Sequence, residues 1–396
     1  MLTLVGRLSP GRRFALKSSM IVQRLPVRGL LKKQQLNQSM GRRELDASAP
    51  IEEVSRALDP PETTTGPSAW LQHTEAPQLN RTREASSDRV VVCDGPMGTQ
   101  LAARGVDTTG PAWSANANEH SPESVAAIHR AYVDAGATVH TANTFRTRRR
   151  NAGQHWRELT TRAVDLARSS VPADQWIAGS IGPLADCYEP EKTPSPSLAR
   201  REHQEMADAL AENGCDVLLC ETFANLEEAA IATAEAVRTG LPTWVALTAG
   251  YRADLLSPEA MAEAAGRLVD LGAEAVLVNC TPALVTRAYV DQLARLRLPV
   301  RIGAYANAGD REAGLGWHEA GGDRHELELD RHELDLDRQE AEASGPRSEN
   351  GAARLAASRY ADCAVEWLSA GATIVGGCCG TGPEHIRQIR RRLIGG

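Results

Sequence analysis

From residue 90 onward, short apolar runs alternate with longer segments that show helical periodicity. The runs are nearly continuous rather than alternating, which is typical of strands covered on both faces of a parallel sheet. Eight strands are predicted, over residues 90–95, 137–145, 176–183, 216–223, 243–248, 275–282, 300–307 and 372–375. The helices predicted between them cover residues 122–135, 155–169, 197–213, 226–239, 258–271, 284–295 and 354–370.

Strands that alternate with helices indicate βα units, and eight such units predict an α/β fold of the (β/α)8 TIM barrel type. An open, doubly wound sheet is the alternative, because periodicity alone does not show closure. The polar and special residues at the strand ends favour the barrel, in which these ends meet at one mouth that holds the active site. These residues are Asp94, Asn143, Gly182, Glu221, Thr248, Cys280, Asn307, Cys378 and Cys379.

The first 88 residues differ in composition from the rest. Residues 1–43 carry ten Lys or Arg and no Asp or Glu, which resembles an organelle transit peptide. A disordered basic arm, or sequence upstream of the true start, are the alternatives. Residues 44–88 are rich in Pro, Ser and Thr and lack periodicity. We therefore predict a disordered extension over residues 1–88, followed by the barrel over 89–396.

A second irregular segment interrupts the barrel pattern before the last predicted helix. Residues 323–329 are nearly repeated as 330–336, and surface-type charges dominate both copies. The two histidines, His325 and His332, recur because the unit recurs, so we do not interpret them as metal ligands. We predict a solvated, low-complexity insertion over residues 319–349.

Composition excludes several classes of protein. The net charge of −7 argues against a nucleic-acid-binding protein. No apolar run approaches the roughly 18 residues that a membrane helix needs. Eight cysteines without regular short spacing do not indicate a disulfide scaffold, so we expect reduced thiols and a cytoplasmic location. The expected partners are small molecules, and the sequence does not indicate an oligomeric state.

Three cysteines lie at predicted strand ends. Cys280 ends the sixth strand, and Cys378 and Cys379 end the eighth. Because alternate strands of a barrel point into the same layer, the three sulfur atoms are expected to meet and to bind Zn²⁺ with one open position. Three thiolates make an electron-rich ion that is better suited to holding a reactive thiol than to generating hydroxide. The alternative is a phosphate site at the Gly-rich turn after the eighth strand.

A thiol substrate with an amino-acid end needs partners for its ammonium and carboxylate groups. Asp94 and Glu221, at two strand ends, are candidates for the ammonium. Main-chain amides of the turn that begins at Gly95 are candidates for the carboxylate. Asn143 and Asn307 are further candidates for substrate contacts at the same mouth.

Six segments are informative when they are taken together: Asp94-Gly95-Pro96-Met97-Gly98-Thr99, Pro111-Ala112-Trp113-Ser114-Ala115, Thr141-Ala142-Asn143-Thr144-Phe145, Gly179-Ser180-Ile181-Gly182-Pro183, Val278-Asn279-Cys280 and Gly377-Cys378-Cys379-Gly380-Thr381. Together they resemble the homocysteine S-methyltransferase family. The resemblance implies a barrel with zinc on Cys280, Cys378 and Cys379, and homocysteine bound near Asp94 and Glu221. It also implies transfer of a methyl group to the homocysteine thiol to give methionine.

The aromatic content of the chain bears on the identity of the methyl donor. Betaine would require aromatic side chains around its quaternary ammonium, whereas aromatic residues make up 4% of the chain and Thr222 follows Glu221. S-methylmethionine or S-adenosylmethionine is therefore favoured, with a small cage drawn from Trp113, Phe145, Phe223 and Trp317. Two other functions stay open: a barrel enzyme that acts on a phosphorylated substrate, and a zinc-binding barrel without catalytic activity.

Overall fold

The structure is a computed structural model that describes residues 90–308, residue 315 and residues 346–394. The predicted extension over residues 1–88 and most of the predicted insertion over 319–349 lie outside the described residues. The predictions for these two segments are therefore not tested.

Eight parallel strands form one sheet in the order β1-β8-β7-β6-β5-β4-β3-β2. An isolated bridge between Cys93 and Val139 joins β1 to β2 and completes the circle, so the predicted (β/α)8 barrel is confirmed. The strands are β1 Val91–Val92, β2 Val139–Thr141, β3 Trp176–Ile181, β4 Val217–Phe223, β5 Thr243–Leu247, β6 Ala275–Pro282, β7 Arg301–Asn307 and β8 Ile374–Gly377.

Helices cover the outside of this sheet. Several begin with a proline in the first turn, where the missing N–H leaves no hydrogen bond unmade. The described helices are α1 Met97–Ala103, α2 Ala117–His120, α3 Pro122–Ala135, α4 Arg149–Ala152, α5 Trp156–Ser170, α6 Pro196–Glu212, α7 Leu226–Val237, α8 Pro258–Asp270, α9 Ala283–Arg295, α10 Pro346–Ser369 and α11 Pro383–Ile394. Helix α10 begins at Pro346, before the predicted start at residue 354.

Two apolar layers stabilise the barrel. The inner layer fills the barrel and includes Val217, Trp244 and Leu277, while a larger outer layer lies between the sheet and the helices. Because successive strand residues point to opposite faces, strands buried on both sides appear in the sequence as continuous apolar runs. Within residues 90–308 and 346–394, no helix combines the length and apolar character needed to cross a membrane.

Candidate active site

Three cysteines meet at the carboxyl ends of β6 and β8, as predicted. The sulfur atoms of Cys280, Cys378 and Cys379 all lie within 4.8 Å of one another. Cys280 and Cys378 form a disulfide, with 5.7 Å between their Cα atoms, and Cys379 is not part of this bond. Cys280 is buried, whereas Cys378 and Cys379 are half-buried and face the mouth. The barrel therefore brings a soft, three-sulfur donor set to one point near solvent.

The main chain around Cys378 and Cys379 is held by the neighbouring strands. The Gly377 N–H donates to Asp94 O (3.1 Å), and the Cys378 N–H donates to Ala306 O (2.9 Å). A Cβ atom at Gly376 would lie 2.8 Å from Cys93 Cβ, so only glycine allows β8 to approach β1 this closely. The small residues before the two cysteines thus permit the close strand packing that sets their position.

This donor set fits Zn²⁺. Sulfur atoms around a tetrahedral zinc ion with Zn–S bonds of about 2.3 Å lie about 3.8 Å apart. All three sulfur atoms lie within 4.8 Å of one another, and reduction of the Cys280–Cys378 disulfide would allow these two to separate to that distance. Three thiolates leave one coordination position for a ligand from outside the protein. Zinc binding requires the reduced form of the Cys280–Cys378 pair, because the thiolate is the metal ligand.

Asp94 lies just beyond β1 and is held by the next strand. Its carboxylate accepts hydrogen bonds from Thr141 N–H (2.9 Å, to Oδ2) and Thr141 Oγ1 (3.0 Å, to Oδ1). Burial raises the pKa of Asp94 to about 8, although the two hydrogen bonds from Thr141 act in the opposite direction. The charge on Glu221 raises this pKa further, which shows that the two predicted acids lie close enough to interact.

Two histidines that the sequence analysis did not single out lie beside Asp94. His129 of α3 and His140 of β2 each place a ring nitrogen within 4.8 Å of the Asp94 carboxylate. His129 is 0% exposed, and neither of its ring nitrogens has a hydrogen-bond partner in the described part of the chain. Burial lowers the pKa of His129 to about 3, so its imidazole is neutral. Burial also lowers the pKa of His140, so neither imidazole supplies a countercharge to the Asp94 carboxylate.

Glu221 is held near the end of β4 by two hydroxyl donors. Ser180 Oγ donates to Glu221 Oε1, and the Tyr305 hydroxyl donates to Glu221 Oε2 at 2.9 Å. Burial raises the pKa of Glu221, and both hydrogen bonds oppose that rise by stabilising the ionised form. Ser180 and Tyr305 come from β3 and β7, so three strands contribute to this carboxylate site.

The two asparagines that were predicted to contact substrate have protein partners. Asn143 donates through Nδ2 to Ser114 O (2.8 Å) and Asn118 Oδ1 (2.9 Å), and its Oδ1 accepts from Ser114 Oγ (2.8 Å). The Asn143 side chain thereby fixes the segment that precedes α3. Asn307 donates to Cys280 O at 3.2 Å, which places its amide beside the sulfur cluster.

The aromatic residues proposed for the donor cage do not all reach the mouth. Trp113 and Phe145 form an edge-to-face pair with 6.2 Å between ring centroids, and both are half-buried. Phe223, in contrast, is fully buried in the outer layer and packs against His203, so its predicted place in the cage is wrong. Trp317 lies outside the described residues. A second edge-to-face pair, Tyr188 with Tyr251 (5.3 Å), was not anticipated.

Sequence comparisons agree with this architecture. The model of the homocysteine S-methyltransferase family matches residues 91–393. Homocysteine S-methyltransferase 2 of Zea mays is 25% identical over 349 residues, which cover 80% of this chain and 93% of the relative. S-methylmethionine–homocysteine S-methyltransferase of Pongo abelii is 27% identical over 310 residues, which cover 78% and 79% of the two chains.

Comparison with solved structures supports the same fold. The metallated form of the Escherichia coli homocysteine methyltransferase superimposes with a TM-score of 0.58 at 22% identity, covering 77% of this chain and 97% of the other. The family match extends over nearly all of the described barrel, including the three cysteines and both carboxylates. The chain is a methyltransferase and belongs to the homocysteine S-methyltransferase family.

Proposed function

We propose that this enzyme transfers a methyl group from a small sulfonium donor to the thiol of L-homocysteine and so forms methionine. The new bond joins the homocysteine sulfur to the methyl carbon, while the bond from that carbon to the donor sulfur breaks. The donor becomes a neutral thioether, and the thiol proton passes to solvent. The observation that carries this proposal is the three-cysteine cluster at the same barrel mouth as the buried Asp94 and the half-buried Glu221.

Cys280, Cys378 and Cys379 are the proposed zinc ligands. A zinc ion held by three thiolates would lower the pKa of the substrate thiol and keep its sulfur nucleophilic at neutral pH. Asn307, whose amide already contacts Cys280 O, would steady the main chain of this ligand. Because the ligand thiols must be reduced, we propose a cytoplasmic, reducing environment. The family match favours this function over the phosphate-binding alternative.

Asp94 and Glu221 are the proposed partners of the homocysteine ammonium group. The described residues around Asp94 place neutral imidazoles, rather than cations, next to its carboxylate. A buried carboxylate without a countercharge is stabilised when a substrate ammonium arrives. The main-chain amide at Gly95 is the proposed partner of the substrate carboxylate. These contacts hold the amino-acid end of homocysteine and direct its thiol to the cysteines.

We propose that the Trp113–Phe145 pair contacts the positively charged methyl donor. Aromatic faces attract sulfonium and quaternary ammonium groups through their ring quadrupoles. Betaine is expected to need a fuller aromatic cage than one edge-to-face pair. The small size of this site therefore favours S-methylmethionine or S-adenosylmethionine as the donor. The Pongo abelii relative, whose name specifies S-methylmethionine, supports the same choice.

A donor panel tests this assignment. Purified, reduced and zinc-loaded enzyme is incubated with homocysteine and one donor, and methionine is measured by mass spectrometry. We expect product with S-methylmethionine or S-adenosylmethionine and little with betaine. Trp113→Ala is expected to raise the KM of the sulfonium donor by about 3- to 30-fold, the range for loss of a cation–π contact. Methionine formed from betaine alone would contradict the proposed donor class.

The raised pKa of Asp94 predicts a pH dependence of ligand binding. The ammonium binds the ionised carboxylate, so below pH 8 binding must first remove a proton from Asp94. Affinity is therefore expected to rise by up to about tenfold per pH unit as the pH increases toward 8. Calorimetric titration with methionine between pH 6 and 8.5 measures this, because methionine has no thiol proton to complicate the result.

Asp94→Asn is the matched control for that titration. It retains the shape of the side chain but cannot ionise, so its methionine affinity is expected to be weaker and much less dependent on pH. An equally steep pH profile in Asp94→Asn would exclude Asp94 as the titrating group.

A further inference from the structure

One buried amide links the ends of β4 and β6. Asn279 is 0% exposed, and its Oδ1 accepts a hydrogen bond from Thr222 N–H at 3.1 Å. Its Nδ2 donates to Thr222 Oγ1 at 2.7 Å. The side chain therefore makes a two-point contact with a single residue of another strand. Strand β5 lies between β4 and β6 in the sheet. The contact can span it because side chains from alternate strands of a barrel lie in a common layer.

Both linked strands, β4 and β6, are irregular near their carboxyl ends. The register of β4 against β5 shifts between Cys220 and Phe223, and that of β6 against β7 shifts between Asn279 and Pro282. Thr222 has a φ of 66° and Cys280 a φ of 45°. Residues other than glycine rarely adopt this left-handed conformation, and it persists only where surrounding contacts maintain it. The Asn279 amide is such a contact for Thr222.

The two irregular residues adjoin the two halves of the acceptor site. Thr222 directly follows Glu221, the proposed ammonium partner, and Cys280 directly follows Asn279 and is a proposed zinc ligand. Further hydrogen bonds secure the same region: Thr248 Oγ1 donates to Cys280 O at 3.2 Å. Asn279 thus connects the main chain next to the ammonium position with the main chain next to the sulfur position.

We propose that Asn279 is a positioning residue that selects the acceptor by chain length, favouring homocysteine over cysteine. Cysteine is one methylene shorter, so it cannot reach the zinc position and the Glu221 carboxylate together when this spacing is fixed. Loosening the Asn279–Thr222 contact lets the two ends of the site move relative to each other. This inference rests on the proposed homocysteine function and adds a structural basis for acceptor choice.

Three variants test the proposal. Asn279→Ala removes both hydrogen bonds, Thr222→Val removes only the one to the hydroxyl, and Thr222→Ser retains both. Each protein is reduced and loaded with zinc, its metal content is measured, and the Kd values for homocysteine and cysteine are determined by calorimetry. For Thr222→Val we expect the Kd for homocysteine to rise about fivefold, and the ratio of the cysteine Kd to the homocysteine Kd to fall by a similar factor. Both changes are expected to be larger in Asn279→Ala. Thr222→Ser is expected to match the wild type.

Tyr289→Phe is the matched control, because it removes a partly buried hydrogen bond from the Tyr289 hydroxyl to Leu256 O (2.9 Å). It is expected to lower the thermal midpoint and to leave the homocysteine-to-cysteine ratio unchanged. If Thr222→Val and Asn279→Ala lower the midpoint but also leave that ratio unchanged, Asn279 is only structural and the proposal is overturned. Should Asn279→Ala fail to fold, Thr222→Val decides the question. Absence of homocysteine binding in the wild type would instead overturn the proposed function itself.

Discussion

Cys379→Ser is expected to abolish stoichiometric zinc binding and to reduce methionine formation by well over 100-fold. Loss of even an outer-sphere partner of a metal ligand typically costs about 10- to 100-fold, and Cys379 is a proposed direct ligand. A serine hydroxyl is a harder donor and does not ionise near neutral pH, so two thiolates alone would have to hold the ion. Zinc per chain, measured by mass spectrometry after dialysis of reduced protein, tests the first effect directly.

Cys187→Ser is the matched control for this prediction. Cys187 is half-buried on the loop that follows β3, and burial raises the pKa of its thiol to about 12, so it remains a neutral thiol. Its replacement is expected to leave both zinc content and activity near wild-type values. A Cys379→Ser protein that retains one zinc per chain would refute the assignment of the metal site.

Glu221→Gln is expected to weaken homocysteine binding by about 30-fold or more while leaving zinc content unchanged. The substitution keeps the size of the side chain but removes the charge that we propose to face the substrate ammonium. Truncating one partner of a buried, hydrogen-bonded charge pair costs at least about 2 kcal/mol. Calorimetric titration with homocysteine, with metal content measured on the same sample, separates the ammonium site from the metal site.

The control for Glu221→Gln is Glu235→Gln. Glu235 is a buried glutamate of α7 that pairs with Arg200 (2.8 Å) and Arg238 (3.1 Å), away from the strand ends of the mouth. This variant is expected to lose some thermal stability and to bind homocysteine normally. Equal losses of homocysteine affinity in the two variants would indicate a general effect of removing a buried charge.

The barrel and the cysteine cluster were predictable from sequence because regular geometry determines both. Continuous apolar runs identify covered strands, and strand ends in a barrel converge, so Cys280, Cys378 and Cys379 were expected to meet. Regular strand alternation does not predict the direction of side chains at irregular strand ends. Alternation would turn Phe223 in the same direction as Glu221, but the register shift after Cys220 turns it into the outer layer. That single irregularity explains why the predicted place of Phe223 in the aromatic cage was wrong.

The supporting hydrogen bonds were not predictable, for a different reason. Ser180 and Tyr305 lie within otherwise apolar strands, where a hydroxyl is as compatible with packing as with a functional contact. Their role depends on which residues from other strands they meet, and that is a property of the closed barrel. Asn279 was noted only as part of the segment Val278-Asn279-Cys280. Its place in the middle of a buried strand also indicates a hydrogen-bonded role, because burial of an unpaired amide is costly. Its partner, Thr222, required the structure.

The two halves of the proposed site rest on different kinds of structure. The acceptor half is built on strand ends, where main-chain hydrogen bonds such as Cys378 N–H to Ala306 O hold the proposed zinc ligands in place. The proposed donor half consists of Trp113 and Phe145, which lie beyond the ends of β1 and β2. Changes in these loop residues can therefore alter which methyl donor is accepted while the homocysteine site stays intact. Such a division lets one barrel diversify its donor chemistry by substitutions at its rim.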